Sequence, residues 1–316
     1  MRSLVVPCAA ALALLSVVAG CGNDSAATSS GRPTVVATTP VIGDVVASTL
    51  GDAADVVVLM PRGADPHAFE PSARQLGELR DADLVVSNGL GLESGLADAL
   101  RAAESDGVPV VELAPELDPI GFAPEHDHGE DGADHEDGDL DPHVWFDPSR
   151  MAAAPTLIAD AFVDAVPDAD ESSVRAGADD YSAELLALDA EVEEVLSGVP
   201  DDRRVLVTNH DTFGYFADRY GFEVLGVVLP GGDTLAAPSA AALDALAEEI
   251  EHHGVPVVFA DEGVSSDLAD ALASEVGTDV EVVALFTDTL GDPGSPSGTY
   301  VDLMRTNAER IAEALR

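Results

Sequence analysis

The sequence predicts an α/β protein of two parallel-sheet lobes joined by a long, rigid α-helix, with a metal site in the cleft between the lobes. Three observations lead there. Short β-branched runs alternate with helical patterns, first over residues 34–113 and again over 204–315, which is the signature of parallel sheets covered by helices. Between the two series lies a helical pattern of some 27 residues, 170–196, about 40 Å long at 1.5 Å per residue. Four short motifs with metal-capable side chains follow strand-like runs, and ligands of open α/β sheets gather beyond the carboxyl ends of the strands.

The first series opens with the β-branched run 34–38. Pro40 then suits the first turn of a helix over 40–50. A strand at 55–60 leads into the loop that carries His67. A helix at 71–81, a strand at 84–87, a helix at 92–104 and a strand at 108–113 complete the alternation. Residues 124–140 interrupt it with an acidic stretch that includes His126, His128 and His135 and has no apolar anchor. Helices follow at 149–166 and 170–196. In the second, Tyr181, Leu185, Leu188, Val192 and Val195 fall at spacings of three and four, one apolar stripe. The second series has strands at 204–208, 223–229, 256–260 and 280–285, and helices at 213–220, 238–252, 265–276 and 300–315. The domain reading is 1–20 signal peptide, 21–33 lipidated flexible tether, 34–168 first lobe, 169–198 connecting helix and 199–316 second lobe.

The first 20 residues read as an export signal. Arg2 precedes an uncharged apolar run, 4–18, shorter than the about 20 residues a membrane span needs. Val18-Ala19-Gly20-Cys21 resembles a lipobox, which makes Cys21 the expected lipid-bearing first residue of an extracytoplasmic protein anchored to the cell membrane. The only other cysteine, Cys8, lies inside the signal, so the mature chain is expected to have neither disulfide nor thiolate ligand. The net charge is −46, from 60 acidic and 14 basic residues, and every basic residue is Arg. Such a chain repels nucleic acid, and the absence of lysine excludes Schiff-base chemistry. Neither a His-Glu-x-x-His helix, a Gly-x-Ser-x-Gly elbow nor a phosphate-binding Gly-x-x-x-x-Gly-Lys loop is present.

The candidate ligands are His67, His143 and His210, each just after a turn-forming residue: Pro66, Pro142 and Asn209. Asp65 and Asp141 precede two of them by two positions and could orient an imidazole through its second nitrogen. A fourth ligand is Asp288 or Glu262, each following a strand; Glu262 also reads as a residue of the outer shell. His252 and His253, at a helix end, read as complements to its negative terminus. Three imidazoles and a carboxylate suit Zn²⁺ in a closed tetrahedral site with no position for a substrate. His126, His128 and His135 read as auxiliary groups that catch metal and pass it inward.

At these residues the chain resembles the zinc and manganese receptors of bacterial ABC importers, metal-binding lipoproteins whose lobes are joined by a rigid helix. The likeness spans about 33–316. It rests on Gly63-Ala64-Asp65-Pro66-His67-Ala68-Phe69-Glu70-Pro71, on Asp141-Pro142-His143-Val144-Trp145-Phe146-Asp147-Pro148, and on Thr208-Asn209-His210-Asp211-Thr212-Phe213-Gly214-Tyr215-Phe216. The last segments are Asp288-Thr289-Leu290-Gly291 and Thr299-Tyr300-Val301-Asp302-Leu303-Met304. The resemblance implies that His67, His143, His210 and Asp288 hold the metal and that 170–196 joins the lobes. It further implies a membrane permease with a cytoplasmic ATPase as partners, and a protein that acts as a monomer and not as an enzyme. Manganese-type members tend to carry glutamate where this chain has His210, so the likeness favours zinc over manganese. The chain departs from typical zinc receptors in its short, carboxylate-dominated loop before His143. Three other readings remain: a manganese-specific receptor, an exported zinc hydrolase using Asp288 as base, and an adhesin with a structural metal.

Overall fold

A computed structural model describes residues 31–122, 140–229, 234, 239–262, 267–276 and 280–316. The expected signal peptide, Cys21, most of the tether, and the loop histidines His126, His128 and His135 lie outside the described residues. Among the described residues no helix is long and apolar enough to cross a membrane.

The first half runs β1 (Thr34–Ala37), α1 (Pro40–Leu50), β2 (Asp55–Val58), α2 (Ala73–Arg80), β3 (Leu84–Ser87), α3 (Ala97–Ser105) and β4 (Val110–Glu112). Its four strands are parallel, in the order β2-β1-β3-β4. Then come α4 (Pro148–Met151), α5 (Ala154–Ala165) and the unbroken α6 (Glu171–Leu196). The second half runs β5 (Val205–His210), α7 (Gly214–Tyr220), β6 (Glu223–Leu229), α8 (Ala240–His253), β7 (Val257–Asp261), α9 (Asp267–Val276), β8 (Glu281–Leu285) and α10 (Tyr300–Leu315). Its sheet is again parallel, in the order β6-β5-β7-β8. The fold is thus two parallel-sheet α/β lobes with a long helix between them.

The central strands β1, β3, β5 and β7 are buried on both faces, as parallel strands are, and successive side chains serve different cores. Val35, Ala37, Leu84 and Val86 pack into one apolar cluster with α1, α5, α6 and α10, while Val36 and Val85 face α2 and α3. In the second sheet Leu206, Val257 and Phe259 join that same large cluster, whereas Val207 and Val258 pack against α8 and α9. One core therefore runs continuously beneath both sheets, and α6 lies along it. Val174, Ala178, Tyr181, Leu185, Leu188, Val192 and Leu196 form the helix's buried stripe. One polar residue, Asp189, interrupts it. It accepts hydrogen bonds from Arg219 Nε at 2.8 Å and from the Tyr220 hydroxyl at 3.1 Å, so the buried carboxylate is paired and fastens α6 to α7.

Several boundaries differ from expectation, each for a local reason. The helix expected over 149–166 is two helices. Pro155 has no N–H to give and its ring would crowd the carbonyl four residues back, at Met151, where α4 stops. The helix expected from 71 starts at Ala73, because Ser72 and Gln75 form a reciprocal capping box. The helix expected from 92 begins as a 3-10 turn, Ser94–Leu96, where a side chain on Gly95 would run into the carbonyl of Phe69. The strand expected to end at Thr208 continues through His210.

Gly177 sits inside α6, and a methyl group there would lie 2.6 Å from the carbonyl oxygen of Thr49 at the end of α1. Helix propensity alone favours Gly177→Ala by about 1 kcal/mol. Pushing two packed helices apart costs about 1–3 kcal/mol, and the obstacle is backbone. A net loss of about 1 kcal/mol is expected. Gly77, within α2, has open space at its Cβ, so Gly77→Ala gains about 0.5–1 kcal/mol. Thermal unfolding of the two variants, shifting in opposite directions, checks the packing of α6 on α1.

Candidate metal centre

The carboxyl ends of both sheets face one cleft. His67 lies on the loop after β2. His143 begins the 3-10 turn Val144–Phe146, His210 is the last residue of β5, and Asp288 follows β8. His210 is therefore part of a strand, not of the loop expected to follow it. All four side chains are buried, and one donor atom from each lies within 4.8 Å of the other three.

The donor atoms can be named. Nε2 of His143 and Nε2 of His67 are 3.4 Å apart; Nε2 of His210 is 3.4 Å from Asp288 Oδ2, and Nε2 of His143 is 4.0 Å from Asp288 Oδ1. Ligands about 2.0–2.1 Å from a tetrahedral Zn²⁺ are separated by about 3.3 Å, so two of these spacings already match. The Nε2 atom of His210 and Oδ1 of Asp288 are buried without a hydrogen-bond partner. Such orphaned polar atoms are costly unless something else satisfies them, and a cation set among the four would do so.

Two imidazoles are oriented from behind. Asp141 Oδ1 lies 2.7 Å from Nδ1 of His143 and also accepts that residue's backbone N–H at 2.9 Å. Asp261 Oδ2 lies 3.0 Å from Nδ1 of His210 and accepts Asn209 Nδ2 at 2.8 Å. A carboxylate at Nδ1 holds the proton there and leaves Nε2 as the donor. Asp65 acts differently from expectation: its Oδ1 accepts the backbone N–H of His67 at 2.9 Å, and its Oδ2 accepts the Thr234 hydroxyl. It shapes the loop and does not orient the ring. Glu262 does not enter the site either. It pairs with Arg310 on α10 at 2.9 Å, while its neighbour Asp261 occupies the position behind His210.

Asp261 is the residue that sequence reasoning passed over. In the β5–β7 pairing Thr208 sits opposite Phe259, so two residues further along His210 comes level with Asp261. Strand alternation then sends Glu262 the other way. The strand order supplies this signal, which a linear reading of Asp261-Glu262 lacks. The second lobe also braces the first lobe's ligand loop. The Tyr215 hydroxyl on α7 donates to the Asp141 carbonyl at 2.7 Å. Asn88 Nδ2, after β3, donates to the Pro142 carbonyl at 2.9 Å. Gly214 leaves room for Asp141, whose Oδ2 would be 2.7 Å from a side chain there.

Electrostatics divide the histidines. Burial holds His67 below its ordinary value, and His143 adds to the effect, so His67 is neutral and ready to donate its lone pair. Burial also opposes a charge on His210, but the carboxylates of Asp288 and Asp261 more than offset it and raise His210 well above the usual imidazole range. Asp288 is raised by burial, yet His210 above all, then His143 and His67, bring it well below the usual carboxylate range. His210 and Asp288 thus favour opposite charges across a 3.4 Å gap.

Comparisons with known proteins identify the family. The family profile described as "Zinc-uptake complex component A periplasmic" matches residues 35–314. The chain is 31% identical to the "Zinc-binding protein TroA" of Treponema pallidum over 100% of its own length and 99% of the relative's. It is 32% identical to the "Manganese-binding lipoprotein MntA" of Bacillus subtilis, covering 98% of each. The solved structure of the periplasmic zinc-binding protein TroA from Treponema pallidum superposes with a TM-score of 0.79 at 30% identity, covering 90% of this chain and 99% of that one. Sequence, fold and cleft therefore place this chain in the zinc-uptake complex component A family of extracytoplasmic metal-binding proteins.

Proposed function

We propose that the protein is the extracytoplasmic receptor of an ABC-type metal importer, that its cargo is Zn²⁺, and that His67, His143, His210 and Asp288 bind it. The carrying observation is the set of four buried side chains converging from both halves of the fold, with His210 Nε2 and Asp288 Oδ1 lacking any hydrogen bond. Four protein ligands close a tetrahedral site, whereas a hydrolytic metal keeps a position open for water. That favours a carrier over an enzyme, and it leaves Asp288 as a ligand instead of a base. Each lobe supplies two ligands, and the unbroken α6 limits lobe motion, so release calls for moving a ligand loop. The partners are a membrane permease and its cytoplasmic ATPase. The lipid at Cys21 would tether the receptor, as a monomer, to the outer face of the cell membrane. The lobe boundaries of this reading are 34–168 and 199–316, with 169–198 between them.

Relatives carry both zinc and manganese in their names, so the metal must be argued from donors. Three imidazole nitrogens and one carboxylate suit Zn²⁺, while Mn²⁺ favours oxygen-rich sites and stands lower in the affinity order of divalent metals. Competitive titration with Zn²⁺ and Mn²⁺ is expected to give one equivalent of bound metal and a preference for zinc of at least about 100-fold. Tighter manganese would make this a manganese receptor, and equal affinities would overturn the zinc assignment.

A further inference from the structure

Asp288 heads the connection between β8 and α10, and three layers of contact hold that connection. Its two ends are pinned by side chains of the first half of the molecule. Trp145, fully buried, donates from Nε1 to the Thr287 carbonyl at 3.0 Å, and Asp44 of α1 accepts the Tyr300 N–H at 2.8 Å. The buried Tyr300 hydroxyl closes this frame on the Trp145 carbonyl at 2.6 Å. Between the ends the segment is tied to itself. Gly291 N donates to Ser297 O at 2.9 Å, Ser295 N to Asp292 O at 2.9 Å and Gly298 N to Ser295 O at 3.0 Å. Gly298 is required by the compactness, since a methyl group there would be 2.9 Å from the Gly294 nitrogen. The segment is therefore one compact flap whose ends, its hinges, are fixed by buried bonds, with Leu290 also seated in the core.

Thr306 on α10 donates to the Pro296 carbonyl from the flap's own lobe, and across the cleft the flap's edge is held by one turn of the opposite lobe. Arg62 Nη1 donates to the Gly291 carbonyl and, at 2.9 Å, to the Gly298 carbonyl; Gly63 N donates to Thr289 Oγ1 at 3.0 Å. Ala64 N bonds Pro61 O at 3.1 Å and Gly63 has a φ of 80°, so the turn that carries Arg62 needs glycine at its third position. Both Arg62 and Gly63 are exposed. Water can replace these bonds at little cost, unlike the buried ones at the hinges. The bonds run from the loop of one metal ligand, His67, to the loop of another, Asp288.

We propose that Arg62 is a latch: a positioning residue that touches no metal but keeps the Asp288 flap shut and so sets how long the cation stays bound. Opening the latch lifts Asp288 from the site and exposes one coordination position to an incoming ligand. The other three donors stay in place. The inference rests on the metal-receptor reading above.

The test is the zinc-loaded full chain chased with excess EDTA, with association measured separately by mixing protein and Zn²⁺. For Arg62→Ala the expected result is one equivalent of zinc, an association rate within about twofold of the unaltered protein, and dissociation about tenfold faster, the scale of losing hydrogen bonds to a charged donor. Amide exchange over 289–298 in the zinc-bound form should quicken in parallel. Arg62→Lys, which keeps a single donor group, should fall between the two, and it carries the test if the alanine variant does not fold. Unchanged dissociation and exchange in these variants would overturn the latch alone, as would an effect confined to association. Failure of the unaltered protein to take up zinc would overturn the receptor reading, and the latch with it.

Discussion

His210→Ala lowers zinc affinity by roughly 100- to 1,000-fold, while His252→Ala on α8 leaves it unchanged. Structural zinc sites bind with about 10–16 kcal/mol in all, so each of four ligands stands for about 2.5–4 kcal/mol, or about two to three decades of affinity. The variant loses more than a donor. His210 is the ring that Asp261 orients and the one closest to Asp288 in charge terms. Without it, the buried Asp288 carboxylate has lost its main counter-charge, and Asp261 is left with the Asn209 amide donating to the oxygen that had faced the ring. His67 and His143 remain 3.4 Å apart, so residual weak binding is expected. Isothermal titration against a competing chelator measures the difference, with circular dichroism confirming that the metal-free variant is folded. Stoichiometric binding of unchanged strength in His210→Ala would defeat the assignment.

Zinc affinity is also expected to rise with pH up to the raised value of His210. The sign follows from the pair in the metal-free site. A histidine raised above its unfolded value stabilises the metal-free protein fully below that value, and the contribution is lost as pH climbs through the folded one. Asp288, held low, contributes above its unfolded value and loses the contribution only in strong acid. At neutral pH the metal-free site is therefore protonated on His210, and zinc must expel that proton. Affinity should change about tenfold per pH unit in this window, with about one proton released per zinc. Below 6.5 the dependence steepens as His67, held low by burial, begins to compete as well. Titrations in two buffers of different ionisation enthalpy count the proton. Affinity that stays flat as pH rises through neutrality, with no proton released, would contradict the pairing of His210 with Asp288.

Much of this centre could be read from the chain because its parts are local. A histidine after a turn residue, at the end of a β-branched run, is a pattern of five or six neighbours. So is the start of α1 at Pro40, where proline loses nothing by lacking an N–H. The length of α6 was legible too, because its apolar stripe persists at helical spacing past Asp189. What stayed hidden depends on neighbours that only the fold supplies. Asp261 and Glu262 are adjacent carboxylates at a strand end, and the order β6-β5-β7-β8 decides that the first meets His210 and the second meets Arg310. Asp65 and Asp141 stand at the same offset from their histidines. Yet one reaches only the backbone N–H, and the other reaches N–H and ring together, a difference of loop conformation. The break before α5 was readable from Pro155 and was overlooked because the alanines around it favour helix. The latch at Arg62 had no sequence signal, since Arg62 and Gly298 meet across the cleft and nowhere along the chain.

X-ray absorption at the zinc edge of the stoichiometrically loaded protein tests the central claim most directly. One divalent ion gripped by His67, His143, His210 and Asp288 predicts about three imidazole nitrogens and one carboxylate oxygen at about 2.0–2.1 Å, with no exchangeable water on the metal. A spectrum with fewer than three imidazoles, or with a bound water that exchanges, would show that these four side chains do not close around a single ion.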